Sequence, residues 1–298
     1  MSSQTLKVQS GEVTLHVKTQ GDENNTPILF IHGYPDDQDV WSKQIDHFAK
    51  THYVVSFDLR GMGQSTAPKS ARAYKLPIIM RDIVAVADAT VGDRKFHLVG
   101  HDWGSAIGWF FTGDPELGGK RLLSYTSLAC PHVGIWIELS FERLGSLKPK
   151  AIWQVLQQTL HSWYIIFFHI PVISTFIMKR YADLAAYKVF QGNGISADDP
   201  YLQHPKQPGY NQSAVNGMNI YRCNVIPFVK APAKGSVDVP VLQLVPVGDA
   251  FIADHMYDST AEYANNLEMH RLNAKHWAQR EIPDTINQVM EAFYQKLS

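Results

Sequence analysis

Asp102 stands where a carbon-attacking nucleophile would be held. It lies in Gly100-His101-Asp102-Trp103-Gly104-Ser105, directly after the apolar β-type run KFHLV and before a segment with helical character from about Ala106. Small residues at Gly100, Gly104 and Ser105 leave room for a tight strand-to-helix turn, the strained elbow that lifts one side chain clear of a sheet. The partial positive charge at a helix N-terminus favours an ionised carboxylate, so Asp102 is expected to act as a nucleophile. An isolated Asp in such a place is ordinarily a helix cap, and the assignment therefore needs partners. Asp249, ending VLQLVPVG, and His276, in Asn273-Ala274-Lys275-His276-Trp277, supply the chain order nucleophile, acid, base. That order predicts an imidazole base oriented by a carboxylate, able to turn water against an ester formed on Asp102. Asp254 is the rival acid, disfavoured because it falls in the helix that follows.

Such groups meet only if several strands end along one edge of a sheet. PILFIHG, YVVSFDLRG, KFHLVGHD and LLSYTSLAC are short apolar runs that alternate with helix-like segments between residues 27 and 130. Each is followed by Gly, Asp or Pro, which predicts a parallel sheet covered by helices. The N-terminus, MSSQTLKVQSGEVTLHVKTQG, reads as strand, turn, strand. From residue 132 to 233 the alternation stops and the chain becomes helical and rich in Trp, Tyr and Phe. VPVLQLVPVGD then resumes the sheet, and LEMHRLNAKHW adds one more strand before a final helix reaching Ser298. The expectation is an α/β-hydrolase fold: a core domain of residues 1–131 and 234–298, its mostly parallel sheet flanked by helices, with residues 132–233 inserted as a helical cap. In that fold the loop after the third strand and the residue after the nucleophile present backbone N–H groups to an oxyanion. Here these are Tyr34, in His32-Gly33-Tyr34-Pro35, and Trp103. His32 itself is read as a structural histidine.

Composition narrows the ligand. With 27 basic against 28 acidic residues, the whole chain offers no electrostatic attraction to nucleic acid or to an anionic membrane, and a small neutral or apolar ligand is favoured. The two cysteines, Cys130 and Cys223, form no C-x-x-C pair and point to a reducing, cytoplasmic setting. The start of the chain lacks the pattern of a secretory signal. Its most apolar stretch, Trp163 to Met178, is shorter than a bilayer span and is interrupted by His169 and Pro171, so no transmembrane segment is expected. That stretch is expected to be a buried helix in a cap over an apolar pocket, with contact at a membrane surface left open as the alternative. Trp136, Trp153, Trp163 and Phe168 would then line a lipophilic pocket or form the contact between cap and sheet, two readings of equal weight. No histidine spacing makes a metal site compelling, and G-M-G-Q-S-T lacks the third glycine of a dinucleotide fingerprint, so neither metal nor cofactor is expected.

Taken together, H-G-Y-P, D-L-R-G-M-G-Q-S, G-H-D-W-G, V-P-V-G-D and K-H-W-A-Q resemble the motifs of the epoxide hydrolases of the α/β-hydrolase superfamily from about residue 27 to the C-terminus. Asn219-Ile220-Tyr221-Arg222 resembles that family's N-W-Y-R, with Ile220 in place of the usual tryptophan. The resemblance implies that Tyr221 faces the epoxide oxygen and that Tyr164, in Trp163-Tyr164-Ile165-Ile166-Phe167-Phe168, is its partner. Tyr181, Tyr187, Tyr201 and Tyr210 remain alternatives to Tyr164. It further implies a small lipophilic epoxide and water as substrates, an ester on Asp102, and release of a vicinal diol. A haloalkane dehalogenase shares the aspartate and the following tryptophan but commonly places Asn where this chain has Tyr34. A non-catalytic small-molecule receptor on the same fold is the alternative of a different class. Oligomeric state, including a homodimer, is left open.

Overall fold

The computed structural model describes residues 3–225 and 230–297. Residues 226–229, within the expected cap, lie outside the described residues, as do Met1, Ser2 and Ser298. Eight strands are present among them: β1 Gln4–Ser10, β2 Val13–Gln20, β3 Pro27–Ile31, β4 Tyr53–Phe57, β5 Phe96–His101, β6 Leu122–Leu128, β7 Val241–Pro246 and β8 Leu267–Leu272. They form one sheet in the order β1-β2-β4-β3-β5-β6-β7-β8. β1 pairs antiparallel with β2, and β2 with β4, while every later pairing is parallel. All residues of β3, β4, β5 and β7 are buried, as strands covered on both faces require, and this explains their unbroken apolar runs.

Helices α1 Ser42–Phe48, α2 Leu76–Thr90, α3 Trp103–Gly113 and α4 Gly118–Arg121 fall between the first six strands. Five more, α5 Val133–Gly145, α6 Pro149–His161, α7 Trp163–Phe168, α8 Pro171–Gly192 and α9 Tyr210–Asn224, separate β6 from β7, and α10 Ala278–Glu281 and α11 Pro283–Gln295 follow β8. Two polar junctions tie this helical region to the sheet. Asn224 accepts the Leu76 N–H at 2.9 Å and donates to the Tyr74 carbonyl at 2.8 Å. Asp199 receives Arg280 and, at 2.9 Å, Lys43. Breaking a buried ion pair such as Arg280–Asp199 from one side costs about 3–5 kcal/mol, so the helices are held firmly over the strand ends.

The D-L-R-G-M-G-Q-S stretch braces the same edge. Asp58 accepts the backbone N–H groups of Gln38 and Gln64, and Arg60 grips Asp82 through two hydrogen bonds of 2.7 and 2.5 Å. Its family-like pattern thus reflects loop construction.

Three expectations are corrected. Helix α3 begins at Trp103, not near Ala106, so Asp102 is itself the residue preceding the first turn. The final helix ends at Gln295. The stretch Trp163 to Met178 is not one buried helix: it breaks at His169 and Ile170 between α7 and α8, and much of its apolar surface faces solvent. Apolarity does not fix burial here: Phe168 faces inward, but so does the polar Ser174, while Trp163, Ile166, Val172, Ile173 and Phe176 face out.

Candidate active site

Asp102 sits between β5 and α3 with φ 53° and ψ −120°, a left-handed backbone that a non-glycine residue holds only when its surroundings enforce it. Two close approaches do so. A Cβ on Gly104 would lie 2.3 Å from the Ile31 carbonyl oxygen, and one on Gly33 would lie 2.5 Å from the Asp102 Cβ. Glycine at both positions lets α3 and the loop after β3 close around the elbow. The Tyr34 backbone N–H then donates to Asp102 Oδ1 at 2.8 Å. Trp103, the first residue of α3, has an amide with no partner inside its own helix, next to the same carboxylate.

On the other side of Asp102, Oδ2 lies 3.6 Å from His276 Nε2. His276 Nδ1 is 2.7 Å from Asp249 Oδ2. Asp249 is fixed in turn by the Phe251 and Ile252 N–H groups, which donate to its Oδ1 at 2.7 and 3.1 Å. The turn after β7 and the loop after β8 therefore aim acid and imidazole at the elbow. Burial opposes the charged imidazolium, but the Asp249 carboxylate and then Asp102 more than offset it and push His276 up to about 10. Asp254 is engaged elsewhere, accepting Arg271 Nε at 2.7 Å in a largely exposed pair.

The helical region supplies the opposite wall. Tyr221 from α9 and Tyr164 from α7 are buried or nearly so and pack edge to face, with ring centroids 5.9 Å apart. Tyr221 also packs edge-on against the Trp103 ring, with centroids 4.9 Å apart. Burial first, with the nearby Asp102 carboxylate adding to it, holds both phenols far above their ordinary range, so both are neutral donors. A pocket joins Asp102, Trp103, Tyr164 and Tyr221 to Trp136 and Ile252. Phe168 packs against Tyr34, Tyr164 and Tyr221.

The alternative tyrosines are placed differently. Tyr201 donates to Asp36 at 3.1 Å, Tyr187 lies under Lys206, Tyr181 is exposed, and Tyr210 packs edge-on against His204. Trp136 lines the pocket and Phe168 packs against its two tyrosines, but Trp153 and Trp163 point to solvent and belong neither to the pocket nor to the contact with the sheet. His32 is fully buried between the Gly33 carbonyl and the Leu59 N–H. Among the described residues no group of His, Cys, Asp or Glu is arranged to hold a metal.

Some supporting residues had not been singled out. His101 Nε2 donates to the His276 carbonyl at 2.9 Å, and its ring lies tilted against the His276 ring with centroids 4.8 Å apart. Its Nδ1 is 3.6 Å from Asp36, which also accepts the Trp277 indole at 3.0 Å. Gln158 bridges α6 to the acid loop, donating to the Phe251 carbonyl and accepting the Ala253 N–H, both at 2.8 Å. For His101 the signal was its place beside Asp102; Gln158 offered none, being one glutamine on a long amphipathic helix.

Comparison with known proteins bears on the fold and on the overall likeness of the chain. The family described as alpha/beta hydrolase fold matches residues 26–150. A human protein named epoxide hydrolase 4 is 27% identical, covering 97% of this chain and 77% of that one. A Mycobacterium tuberculosis protein named probable oxidoreductase EphD is 24% identical over 94% of this chain, which spans 48% of that protein's length. Among solved structures, an epoxide hydrolase from hot-environment metagenomes superposes with a TM-score of 0.81 at 25% identity, covering 99% of each chain. A Bacillus megaterium epoxide hydrolase bound to an inhibitor gives 0.79 at 25% identity, covering 97% of this chain and all of that one. The eight-stranded sheet, the helical region beside it and this similarity over nearly the whole chain together support placing the chain with the epoxide hydrolases of the α/β-hydrolase superfamily.

Proposed function

We propose that this protein hydrolyses a lipophilic epoxide to a vicinal diol through an ester on Asp102, with residues 132–233 serving as a cap on a core of residues 1–131 and 234–298. One observation carries the reading: an ionisable carboxylate, held by the Tyr34 N–H and facing His276, lies across one pocket from two neutral tyrosine hydroxyls. An epoxide has a strained ring but a poor alkoxide leaving group, so opening it needs a nucleophile on carbon and a proton on oxygen. Asp102 forms the new C–O bond as the ring C–O bond breaks, and Tyr221 with Tyr164 delivers the proton. His276, oriented by Asp249, then takes a proton from water as that water attacks the ester carbonyl. The Tyr34 and Trp103 amides hold the oxyanion until the diol leaves. The Val133, Trp136 and Ile252 walls favour a lipophilic substituent on the epoxide. Two cysteines with no disulfide support residence in the cytoplasm.

Screening diol formation across styrene-type, fatty-acid and small aliphatic epoxides tests the activity. Within that assay, Phe at either Tyr164 or Tyr221 should slow ring opening, and Phe at both should lower it by roughly 10²- to 10⁴-fold, the range of general-acid assistance. Undiminished alkylation in the double variant would refute the donor pair. Gly33→Ala should be nearly as damaging although it removes no functional group, because its Cβ would press on Asp102 at 2.5–2.6 Å. Displacing a reacting group by about an ångström costs on the order of 10²-fold. Wild-type turnover in a correctly folded Gly33→Ala protein would contradict the packing described for the elbow.

A further inference from the structure

We propose that the outer surface of α5 to α8 is a docking platform for an anionic lipid bilayer, which the protein contacts without spanning. Among the described residues, every large apolar side chain that is clearly exposed falls between residues 141 and 184, except Val247 and Leu297. The most exposed are Leu147 at 78%, Leu160 at 67%, Val172 at 82% and Phe176 at 69%. Surfaces of this kind mark interaction sites, because a soluble protein has no other reason to leave them wet.

α6 and the start of α8 are built inside out. On α6, Trp153, Leu156 and Leu160 recur at helical spacing on the solvent side, while the one fully buried residue is Gln158. The first turns of α8 expose Val172, Ile173 and Phe176 but bury Ser174, whose hydroxyl accepts Arg222 from α9 at 2.9 Å. Between them α7 turns Trp163 and Ile166 outward and Tyr164 and Phe168 inward. An inward polar set with satisfied hydrogen bonds shows that the outward apolar set is a feature of the folded state.

Charge decides the occupant. From Phe141 through Leu184 the sequence holds five Lys and Arg residues against two acidic ones, Glu142 and Asp183, leaving 22 basic residues against 26 acidic ones elsewhere. The near-neutral total thus conceals a segregated cationic face. Arg143 is engaged by Asp258 at 3.1 Å, whereas Lys148, Lys150, Lys179 and Arg180 form no ion pair among the described residues. A second copy joined through this face by two-fold symmetry would set these cations against their equivalents. A bilayer with acidic headgroups instead neutralises them while its acyl region receives the apolar residues, and Trp153 and Trp163 suit the boundary between the two. No described helix is long and apolar enough to cross a membrane, which fits contact at the surface. Because α7 carries platform on one face and Tyr164 on the other, a lipophilic epoxide dissolved in the bilayer would lie close to the pocket. That consequence rests on the hydrolase reading; membrane binding does not.

The test is co-sedimentation of the full chain with vesicles of phosphatidylcholine alone and of an equimolar mixture with phosphatidylglycerol. The protein should pellet with the mixed vesicles, and much less with neutral ones or at high salt. Lys148→Gln with Lys150→Gln should lower the partition coefficient roughly 25-fold, since each cation near such a surface contributes about a fivefold factor. Val172→Glu with Phe176→Glu should abolish pelleting yet leave turnover of a small water-soluble epoxide unchanged. A wild-type protein that stays in the supernatant with mixed vesicles overturns the proposal. So does equal binding to both vesicle types, or a dimer dissolved by Val172→Glu with Phe176→Glu in a protein that ignores vesicles. Vesicle binding with no epoxide turnover would support the platform and sink the hydrolase assignment.

Discussion

Asp102→Ala should abolish diol formation, with a loss on the order of 10⁴-fold or more, because among the described residues lining the pocket Asp102 is the one carboxylate beside Tyr164, Tyr221 and His276. The fold should survive. The substitution leaves the Tyr34 N–H without its acceptor, a cost of about 1–3 kcal/mol, which a domain with this much buried sheet can absorb. Asp102→Asn is the companion variant: an amide oxygen still accepts from Tyr34 but is a poor nucleophile, so the elbow is kept and the chemistry lost. Circular dichroism and thermal unfolding on both proteins separate catalysis from folding. The oxygen balance provides a second check that needs no variant. With enzyme in excess and oxygen-18 water, the first diol should be mostly unlabelled, since its new oxygen comes from the Asp102 carboxylate, and label should enter the protein as the ester is hydrolysed. A fully labelled first diol would mean that water attacks the epoxide directly. More than a trace of activity in a folded Asp102→Ala protein would remove Asp102 from the mechanism.

The parts of this site that were legible in the sequence are those set by short-range rules. β3, β5 and β7 are continuous apolar runs because both faces are buried, and their ends are marked by the residues that must turn the chain, so Tyr34, Asp102 and Asp249 could be placed at one sheet edge. His276 followed from chain order. Tyr164 rested on a looser match, and the structure brings it against Tyr221 while Tyr201, which looked no worse in sequence, is turned toward Asp36. What was not legible depends on long-range packing. The support of His276 by His101 joins residues 175 positions apart, and the bridge from Gln158 to the acid loop joins residues more than ninety apart. The error about Trp153, Trp163 and the α7–α8 stretch has a different origin. Periodicity tells which residues share a helix face, but not whether that face meets protein or solvent, and in α6 the direction is set by the two hydrogen bonds of one glutamine.

His276→Gln should divide the reaction in two. In the proposed mechanism the imidazole acts only after the ester has formed, so the variant should be alkylated by epoxide at a rate near that of wild type and then stall. Intact-mass measurement should show the full mass of the epoxide added, and peptide mapping should place it on Asp102. The loss in steady-state turnover should be on the order of 10⁴-fold, comparable with disabling a triad base. Electrostatics explains why the division is clean. Before reaction His276 faces two carboxylates that together hold it up to about 10, so it is an imidazolium. Alkylation turns Asp102 into a neutral ester, removes one of those charges and lowers the pKa, so the base becomes available when there is an ester to hydrolyse. The hydrolytic step in the wild type should therefore rise with pH through the lowered pKa to a plateau, while alkylation changes little over the same range. Asp249→Asn, which removes the larger remaining support for the imidazolium, should move that inflection to lower pH and slow hydrolysis by loosening the ring. The same variant discriminates between families. A haloalkane dehalogenase would load with loss of halide and gain only the alkyl mass. Adducts of His276→Gln with bromo- or chloroalkanes, and with no epoxide tried, would establish dehalogenation; failure of both to load it, alongside ligand binding without turnover by the wild type, would establish a receptor.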